Sequence, residues 1–182
     1  LSPYKRTVVY ETEFSDPLKV VNEDDLFQGD KRVRKPEGAD WVLEGKGRAW
    51  SQFGRLFCAN NRSQDEGSHT VLWNTRVFPK DFLLEFDFSP RDSIDGLAIV
   101  FFATRPTDGG SIFDLNMPKR EGVFRNYLRE PMSGYHTSYW AAAPETKSRR
   151  TVNLRKNPGF HLASLGIERI AGKGPGPHRV RL

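Results

Sequence analysis

The clearest pattern in the chain is the alternation of apolar and polar positions near its middle. Residues 82–88 read FLLEFDF, so every second side chain is a large apolar group, and side chains two positions apart share one face of a strand. Residues 96–103 read GLAIVFFA and are apolar at almost every position, which is typical of a strand covered on both faces. We therefore predict two strands here, the second of them central in its sheet.

Short strands are also predicted before this pair in the sequence. They lie at Thr7–Phe14, Trp41–Leu43, Arg55–Ala59 and Thr70–Phe78. One helix is predicted, over Glu121–Arg129, because its apolar residues fall on one helical stripe. The 16 glycines and 12 prolines suit many strands joined by turns. The fold class that follows is all-β, an antiparallel β-sandwich.

The length of 182 residues predicts one domain over residues 1–182. Residues 15–40 are rich in charge and are predicted to form a solvated loop, so residues 1–40 become a peripheral N-terminal extension and loop. The alternation resumes at residues 178–182 and stops there. Because a chain that ends inside a strand leaves an unpaired edge, we expect a C-terminal truncation that removes the last strands.

Residues whose side chains could bind a ligand or take part in catalysis concentrate between positions 134 and 164. The two-residue period of a strand predicts two faces over residues 135–140: Tyr135, Thr137 and Tyr139 on one, and His136, Ser138 and Trp140 on the other. A basic cluster follows, formed by Arg149, Arg150, Arg155 and Lys156. Tyrosine, histidine and tryptophan beside arginines favour an acidic sugar as the ligand, although an ordinary solvated sheet face has a similar composition.

Composition and charge narrow the partner class only a little. The net charge of +5 and pI near 9.4 favour an anionic partner mildly. Nucleic acid is not expected, because the sequence has neither a zinc-finger pattern nor an aromatic RNA-binding strand motif. No apolar run reaches the ~20 residues of a membrane span, and no metal-ligand spacing is present. We expect no metal, no cofactor and no membrane partner, and the compartment and oligomeric state stay open.

Four segments carry a family resemblance: FDFSP (86–90), GLAIVFFA (96–103), IFD (112–114) and RTVNLRKNPGFHLAS (150–164). They resemble the bacterial YesU-like family, a domain of unknown function in the concanavalin A-like lectin/glucanase superfamily, and the resemblance covers about residues 41–182. It implies a jelly-roll sandwich with a concave sheet that faces carbohydrate. It also implies a role in bacterial polysaccharide utilisation, notably of uronate-rich plant material, but it implies no particular catalytic mechanism.

The leading hypothesis is an enzyme that acts on an acidic, uronate-containing oligo- or polysaccharide by β-elimination. That reaction needs a cation at the carboxylate, a base and an acid. Arg150 and Arg155 would neutralise the uronate, since arginine binds carboxylates bidentately. His136 or His161 would take the proton, and Tyr139 would protonate the leaving oxygen.

Two alternatives remain open. Hydrolysis with retention needs two carboxyl groups about 5–5.5 Å apart, and the strand that carries Glu85 and Asp87 has no third acidic residue to complete the pattern. The second alternative, a non-catalytic glycan-binding module, needs no catalytic acid, base or carboxylate pair in the sequence. In that case the residues that stack on sugar rings or bond their polar groups would be Tyr135, Tyr139, Trp140, Arg150, Asn153, Arg155 and Lys156.

Overall fold

A computed structural model describes residues 6–60, 69–91, 96–141, 151–170 and 173–182. Within these ranges the regular structure consists of strands and two short 3-10 helices, Glu23–Leu26 and Phe124–Tyr127, and no helix is long and apolar enough to cross a membrane. The strands are β1 Val20–Asn22, β2 Phe27–Gln28, β3 Lys31–Arg32, β4 Trp41–Glu44, β5 Arg48–Gln52, β6 Arg55–Ala59, β7 Val71–Asn74, β8 Glu85–Phe88, β9 Leu97–Pro106, β10 Met132–Ala141, β11 Thr151–Asn157, β12 His161–Ile167 and β13 His178–Arg181.

Contacts between residues divide the chain into two compact units. The first comprises Leu1–Pro79 and Phe113–Phe124, and the second comprises Lys80–Ile112 and Arg125–Leu182. In the first unit, β4 lies between β1 and β7, parallel to β1 and antiparallel to β7, and two hairpins form from β2 with β3 and from β5 with β6. In the second unit, β12, β11, β10 and β9 form an antiparallel sheet in that order, and β8 pairs with β13.

Four charged side chains are buried together in the first unit: Glu23, Arg32, Glu44 and Arg120 are 2%, 2%, 0% and 1% exposed. The guanidinium of Arg120 donates from Nε to both carboxylate oxygens of Glu44, each at 3.1 Å. The backbone N–H groups of Arg120 and Glu121 donate to the Glu23 carboxylate, at 2.9 and 2.7 Å. These bonds join residues 120–121 to the amino-terminal part of the unit. They also supply the buried charges of Glu23, Glu44 and Arg120 with the partners that offset the cost of burial.

Two predictions for the amino-terminal region are wrong. Thr7–Phe14 is not a strand; instead the rings of Tyr10 and Phe14 pack against Trp41, at centroid distances of 5.8 and 6.5 Å. The spacing of apolar residues there reflects packing on one indole ring and not a hydrogen-bonded ladder. The predicted solvated loop over residues 15–40 contains β1, a 3-10 helix, β2 and β3. Its charged residues include two of the buried cluster, and sequence alone does not distinguish buried from solvated charges.

The predicted helix over Glu121–Arg129 is also wrong, apart from the single 3-10 turn within it. Gly122 has a φ of +69°, and a Cβ there would lie 2.6 Å from both the Gly45 Cα and the His69 carbonyl oxygen. The close approach of the backbone therefore requires glycine and a turn where the apolar stripe suggested a helix.

The second apolar segment is a strand as predicted, but β9 is an end strand of the described sheet. Its two faces are covered by aromatic rings: Phe101 contacts Tyr127 at 5.6 Å and Phe102 contacts Phe82 at 6.0 Å between ring centroids. The apolar residues on both faces of the segment predicted that both faces of the strand would be packed against other residues, and the aromatic side chains provide this packing. Packing on both faces does not require a hydrogen-bonded strand at both edges, so β9 can lie at the end of the sheet.

Burial, and secondarily the charge of Glu44, raise the pKa of Glu23 from 4.5 to about 7. Because the folded state binds this proton more tightly than the unfolded chain, its contribution to stability is full below pH 4.5 and is lost as the pH rises to 7. We expect the contribution of Glu23 to the free energy of unfolding to fall by up to about 3 kcal/mol across this window. The lowered pKa of His136 acts in the opposite direction over part of the same window. The Glu23 contribution is therefore measured as the difference between the wild type and Glu23→Gln in urea denaturation at several pH values, and this difference should shrink as the pH rises from 4.5 to 7.

The matched control is Glu11→Gln, which changes an exposed carboxylate of the same unit. It should leave the slope of stability against pH as in the wild type. An equal slope in Glu23→Gln and the wild type would assign the pH dependence to other groups.

Candidate functional site

A β-bulge in β10 decides which side chains share a face of the sheet. On the β9 side, Ser138 pairs with Ile99 and Trp140 pairs with Ala98, so Tyr139 is an extra residue between them. A bulge of this kind breaks the two-residue alternation. The Phe88 ring contacts both Tyr139, at 5.1 Å, and Trp140, at 5.7 Å. Trp140 therefore lies on the side of Tyr139, and the predicted grouping of Trp140 with His136 is wrong.

The opposite face of β10 and β11, which we call the His136 face, carries the polar groups. His136 pairs directly with Arg155 on β11, and the two-residue period places Asn153 and Asn157 on the same side. The Asn157 Nδ2 lies 3.0 Å from the His136 Nδ1. The Asn153 backbone N–H donates to the Ser138 hydroxyl at 3.4 Å. The sequence predicted His136, Asn153 and Arg155 as site residues, and the sheet brings these three together.

The remaining predicted residues lie elsewhere. Tyr135 stacks on Phe102 of β9, with centroids 5.7 Å apart, on the face of Tyr139. Lys156 of β11 pairs with Tyr135 and lies on the same side of the sheet. His161 belongs to β12, a strand exposed along its whole length, and pairs with Lys156. The predicted residue Arg150 lies outside the described residues.

Three rings and a guanidinium form a continuous stack across the His136 face. The His136 ring lies between Phe101 and Phe160, at centroid distances of 5.2 and 5.4 Å. The Arg155 guanidinium lies over the Phe160 ring, with its Cζ 3.9 Å from the ring centroid. Such a cation–π contact contributes about 0.5–2 kcal/mol. Neither phenylalanine was predicted as a site residue.

The turn between β11 and β12 positions Phe160. Phe160 has a φ of +57° and follows Gly159, with a φ of +94°, and any Cβ at Gly159 would collide with the His161 ring. The Gly159 N–H donates to the Leu128 carbonyl at 3.0 Å. This strained turn directs the phenyl ring back over the sheet. Its sequence, Asn-Pro-Gly-Phe, is the one signal that could have indicated the residue, because Pro and Gly mark tight turns.

Burial, and secondarily the charge of Arg155, lower the pKa of His136 from 6.5 to about 4. The imidazole is therefore neutral at physiological pH. With the Asn157 amide as the donor, Nδ1 accepts and the ring proton resides on Nε2. A histidine held in this way is a positioned hydrogen-bonding group and only a weak base.

Arg155 is held in place while part of its guanidinium stays available. Its Nη1 donates to the Phe160 carbonyl at 2.8 Å, and within the described residues this is its only hydrogen bond. The Arg155 side chain is half-buried. Arg179 shows what the Nε–Nη2 edge can do, since its Nε and Nη2 bind the two oxygens of Asp87 at 2.6 and 3.2 Å. The same edge of the Arg155 guanidinium can donate hydrogen bonds to a carboxylate of a ligand.

The arrangement does not assemble the predicted acid and base. His136 and Tyr139 lie on opposite faces of β10, and Tyr139 packs among the rings of Phe86 and Phe88, at 5.5 and 5.1 Å. Among the described residues, no group of three or more His, Cys, Asp or Glu side chains could hold a metal ion. What the His136 face offers chemically is a fixed cation beside neutral hydrogen-bonding groups.

Comparison with known proteins identifies the family. The sequence profile of the family described as domain of unknown function DUF1961 matches residues 27–180. The chain belongs to this family. The match spans parts of both compact units, and it confirms the resemblance that four sequence segments indicated.

Two relatives define what this DUF1961 chain is similar to. It is 33% identical over 151 residues to the uncharacterised protein YesU of Bacillus subtilis (strain 168), covering 81% of this chain and 67% of YesU. It also matches the crystal structure of a Bacillus subtilis protein of unknown function with a galectin-like fold, at 33% identity and a TM-score of 0.67. That match covers 78% of this chain, which spans 64% of the length of the solved protein. The predicted all-β, concanavalin A-like sandwich class is thereby confirmed.

Truncating Phe160 tests the origin of the electrostatics of the His136 face. Phe160→Ala removes the ring that covers one side of the imidazole, so we expect the pKa of His136 to rise from about 4 towards 6.5, because desolvation is the larger cause of the shift. An NMR titration of the histidine ring protons measures this. Phe53→Ala, which removes an 85% exposed ring in the other unit, should leave the titration unchanged, and an equally unaffected Phe160→Ala would contradict the assignment.

Proposed function

We propose that this protein binds an acidic, uronate-containing oligo- or polysaccharide on the His136 face. The observation that carries the proposal is the preorganised guanidinium of Arg155. Its position is held by the Phe160 ring at 3.9 Å and the Phe160 carbonyl at 2.8 Å. A cation already held in its bound conformation loses little entropy when a ligand carboxylate arrives.

The neighbours of Arg155 suit the rest of a sugar. Asn153 is half-buried on the same face. Its Oδ1 is buried, so the amide offers its N–H donors to hydroxyl groups. His136 adds a neutral ring, which neither repels the Arg155 guanidinium nor competes with it for the ligand carboxylate. The likeness to a protein with a galectin-like fold supports carbohydrate as the ligand class. The guanidinium supports the narrower choice of an acidic sugar.

Binding is tested by titrating uronate oligosaccharides, with their carboxyl-reduced neutral counterparts as the reference ligands, in a calorimeter. Charge-assisted hydrogen bonds contribute about 1.5–3 kcal/mol, so Arg155→Met should weaken uronate binding about 10- to 100-fold. Arg155→Lys should recover part of the affinity, because an ammonium keeps the charge but not the planar fork.

Lys156→Met is the matched control, because it removes a cation from the adjacent position of the same strand but from the opposite face. It should bind as the wild type does. Equal losses in Lys156→Met and Arg155→Met would mean that binding follows net charge and not the His136 face, and equal affinity for the reduced ligands would exclude recognition of the carboxylate.

A second candidate function is β-elimination at the same site. It is favoured because the neutral imidazole of His136 on β10 pairs directly with the Arg155 guanidinium on β11. A cation at the uronate carboxylate acidifies the proton that the base removes. A base with a pKa of about 4 has a weak driving force for proton transfer. We therefore place binding first and elimination second.

Elimination predicts a specific product and a specific pH profile. Mass spectra of the digested uronate polysaccharide should show fragments that lack one water, and the rate should rise through pH 4 and then level off as His136 loses its proton. His136→Gln should abolish turnover while uronate binding persists. Fragments that have gained water would indicate hydrolysis instead, and an absence of fragments together with tight binding would leave the binding function alone.

A further inference from the structure

A second feature with the character of a ligand site lies in the first unit, beside the basic segment of residues 31–35. It is a cavity of about 640 Å³ lined by Val21, Leu26, Val33, Arg34, Lys35, Pro36, Glu37 and Leu115. Small-molecule sites usually measure about 300–1,000 Å³ and combine apolar walls with a few polar groups. The proposed glycan site in the second unit uses none of these residues.

The walls of this cavity are aliphatic. Val33 and Leu115 are 47% and 54% exposed, and Val21 and Leu26 complete the apolar lining. Among the described residues, no aromatic ring lines the cavity, so they provide no flat surface on which sugar rings stack. The walls suit a compact apolar body instead, since each buried methylene contributes about 0.8 kcal/mol.

A positioned arginine lies at the same cavity. Arg34 donates from Nε to the Asp25 carbonyl at 2.8 Å, and the described residues provide its Nη1 and Nη2 with no partner. Lys35 is bound to Asp114 at 2.7 Å, which leaves the Arg34 fork as the free cationic group. The end of a guanidinium with two parallel N–H donors binds a carboxylate bidentately.

A second arginine of the basic segment, Arg32, is buried and does not line the cavity. Arg32 precedes Val33, is 2% exposed, and lies over the Phe27 ring at 4.5 Å. Its three guanidinium nitrogens have no hydrogen-bond partner within the described residues. In the surrounding cluster, Glu44 is occupied by the Arg120 side chain and Glu23 by two backbone N–H groups. Glu23 and Glu44 still attract this guanidinium through space, and Arg120 repels it. The cation that remains for a ligand of the cavity is therefore Arg34.

We propose that this cavity binds a small organic carboxylate with an apolar body, held by the Arg34 fork and by the aliphatic walls. Glu37 at the rim disfavours ligands with several negative charges, so one carboxylate fits better than a phosphate ester. The site is independent of the His136 face and takes a ligand of a different chemical class.

Benzoate and cyclohexanecarboxylate serve as probes, with benzyl alcohol as the neutral analogue and chloride at equal ionic strength as the inorganic anion. Ligand-observed NMR and calorimetry on the whole chain should give a Kd of about 1 mM or below for the carboxylates. Arg34→Met, at an exposed position that should not disturb folding, should weaken carboxylate binding at least tenfold. Leu115→Asp, which puts a charge on the apolar wall, should weaken it comparably.

Arg55→Met is the matched control, since Arg55 is an exposed arginine of the same unit in the β5–β6 hairpin. It should bind the probes as the wild type does. The proposal is overturned if neither carboxylate binds, if benzyl alcohol or chloride binds as tightly as benzoate, or if Arg55→Met and Arg34→Met lose affinity equally. The proposal is also overturned if a uronic acid binds more tightly than benzoate and loses affinity in Leu115→Asp, because that loss would locate the uronic acid in this cavity.

Discussion

The pairing of β10 with β9 on one side and β11 on the other is the constraint on which the second unit depends. Direct pairing places His136 between Phe101 and Arg155, so three strands contribute one side chain each to the same patch. The bulge at Tyr139 then turns Trp140 to the other face. Backbone hydrogen bonding, and not side-chain chemistry, therefore decides which of the polar and aromatic residues in this strand can act together.

Burial and charge act in the same direction on the His136 face. Desolvation by the two phenylalanine rings and repulsion by Arg155 both favour the neutral imidazole. The neutral ring in turn leaves the Arg155 guanidinium as the charged group of the patch among the residues that the structure describes. A site with one fixed cation, neutral hydrogen-bonding groups and restrained side chains is suited to recognising a carboxylate on a polar ligand.

Both units hold an arginine by a backbone carbonyl and leave its other donors available. Arg155 is held by Phe160, and Arg34 is held by Asp25. Their surroundings differ: polar amides and a histidine accompany the first, whereas aliphatic walls accompany the second. Because a guanidinium binds many anions, these surroundings select the ligand class. The same local device thus supports two separate proposals, a glycan site and a small-carboxylate site.

The sequence by itself determined the all-β class, the family and the positions of most strands, because apolar alternation and turn residues are local properties. It also showed His136, Asn153 and Arg155 concentrated in one segment of the chain, but the pairing of β10 with β11 was what brought them to one face. Only the tertiary structure decided the face of Trp140, the role of Phe160 and the buried state of Glu23 and Arg32. The bulge and the burial of a charge depend on contacts between distant segments, and no local pattern of residues records them. The turn before Phe160 does carry a local signal in its proline and glycine, but the His136 ring that Phe160 contacts comes from another strand, β10.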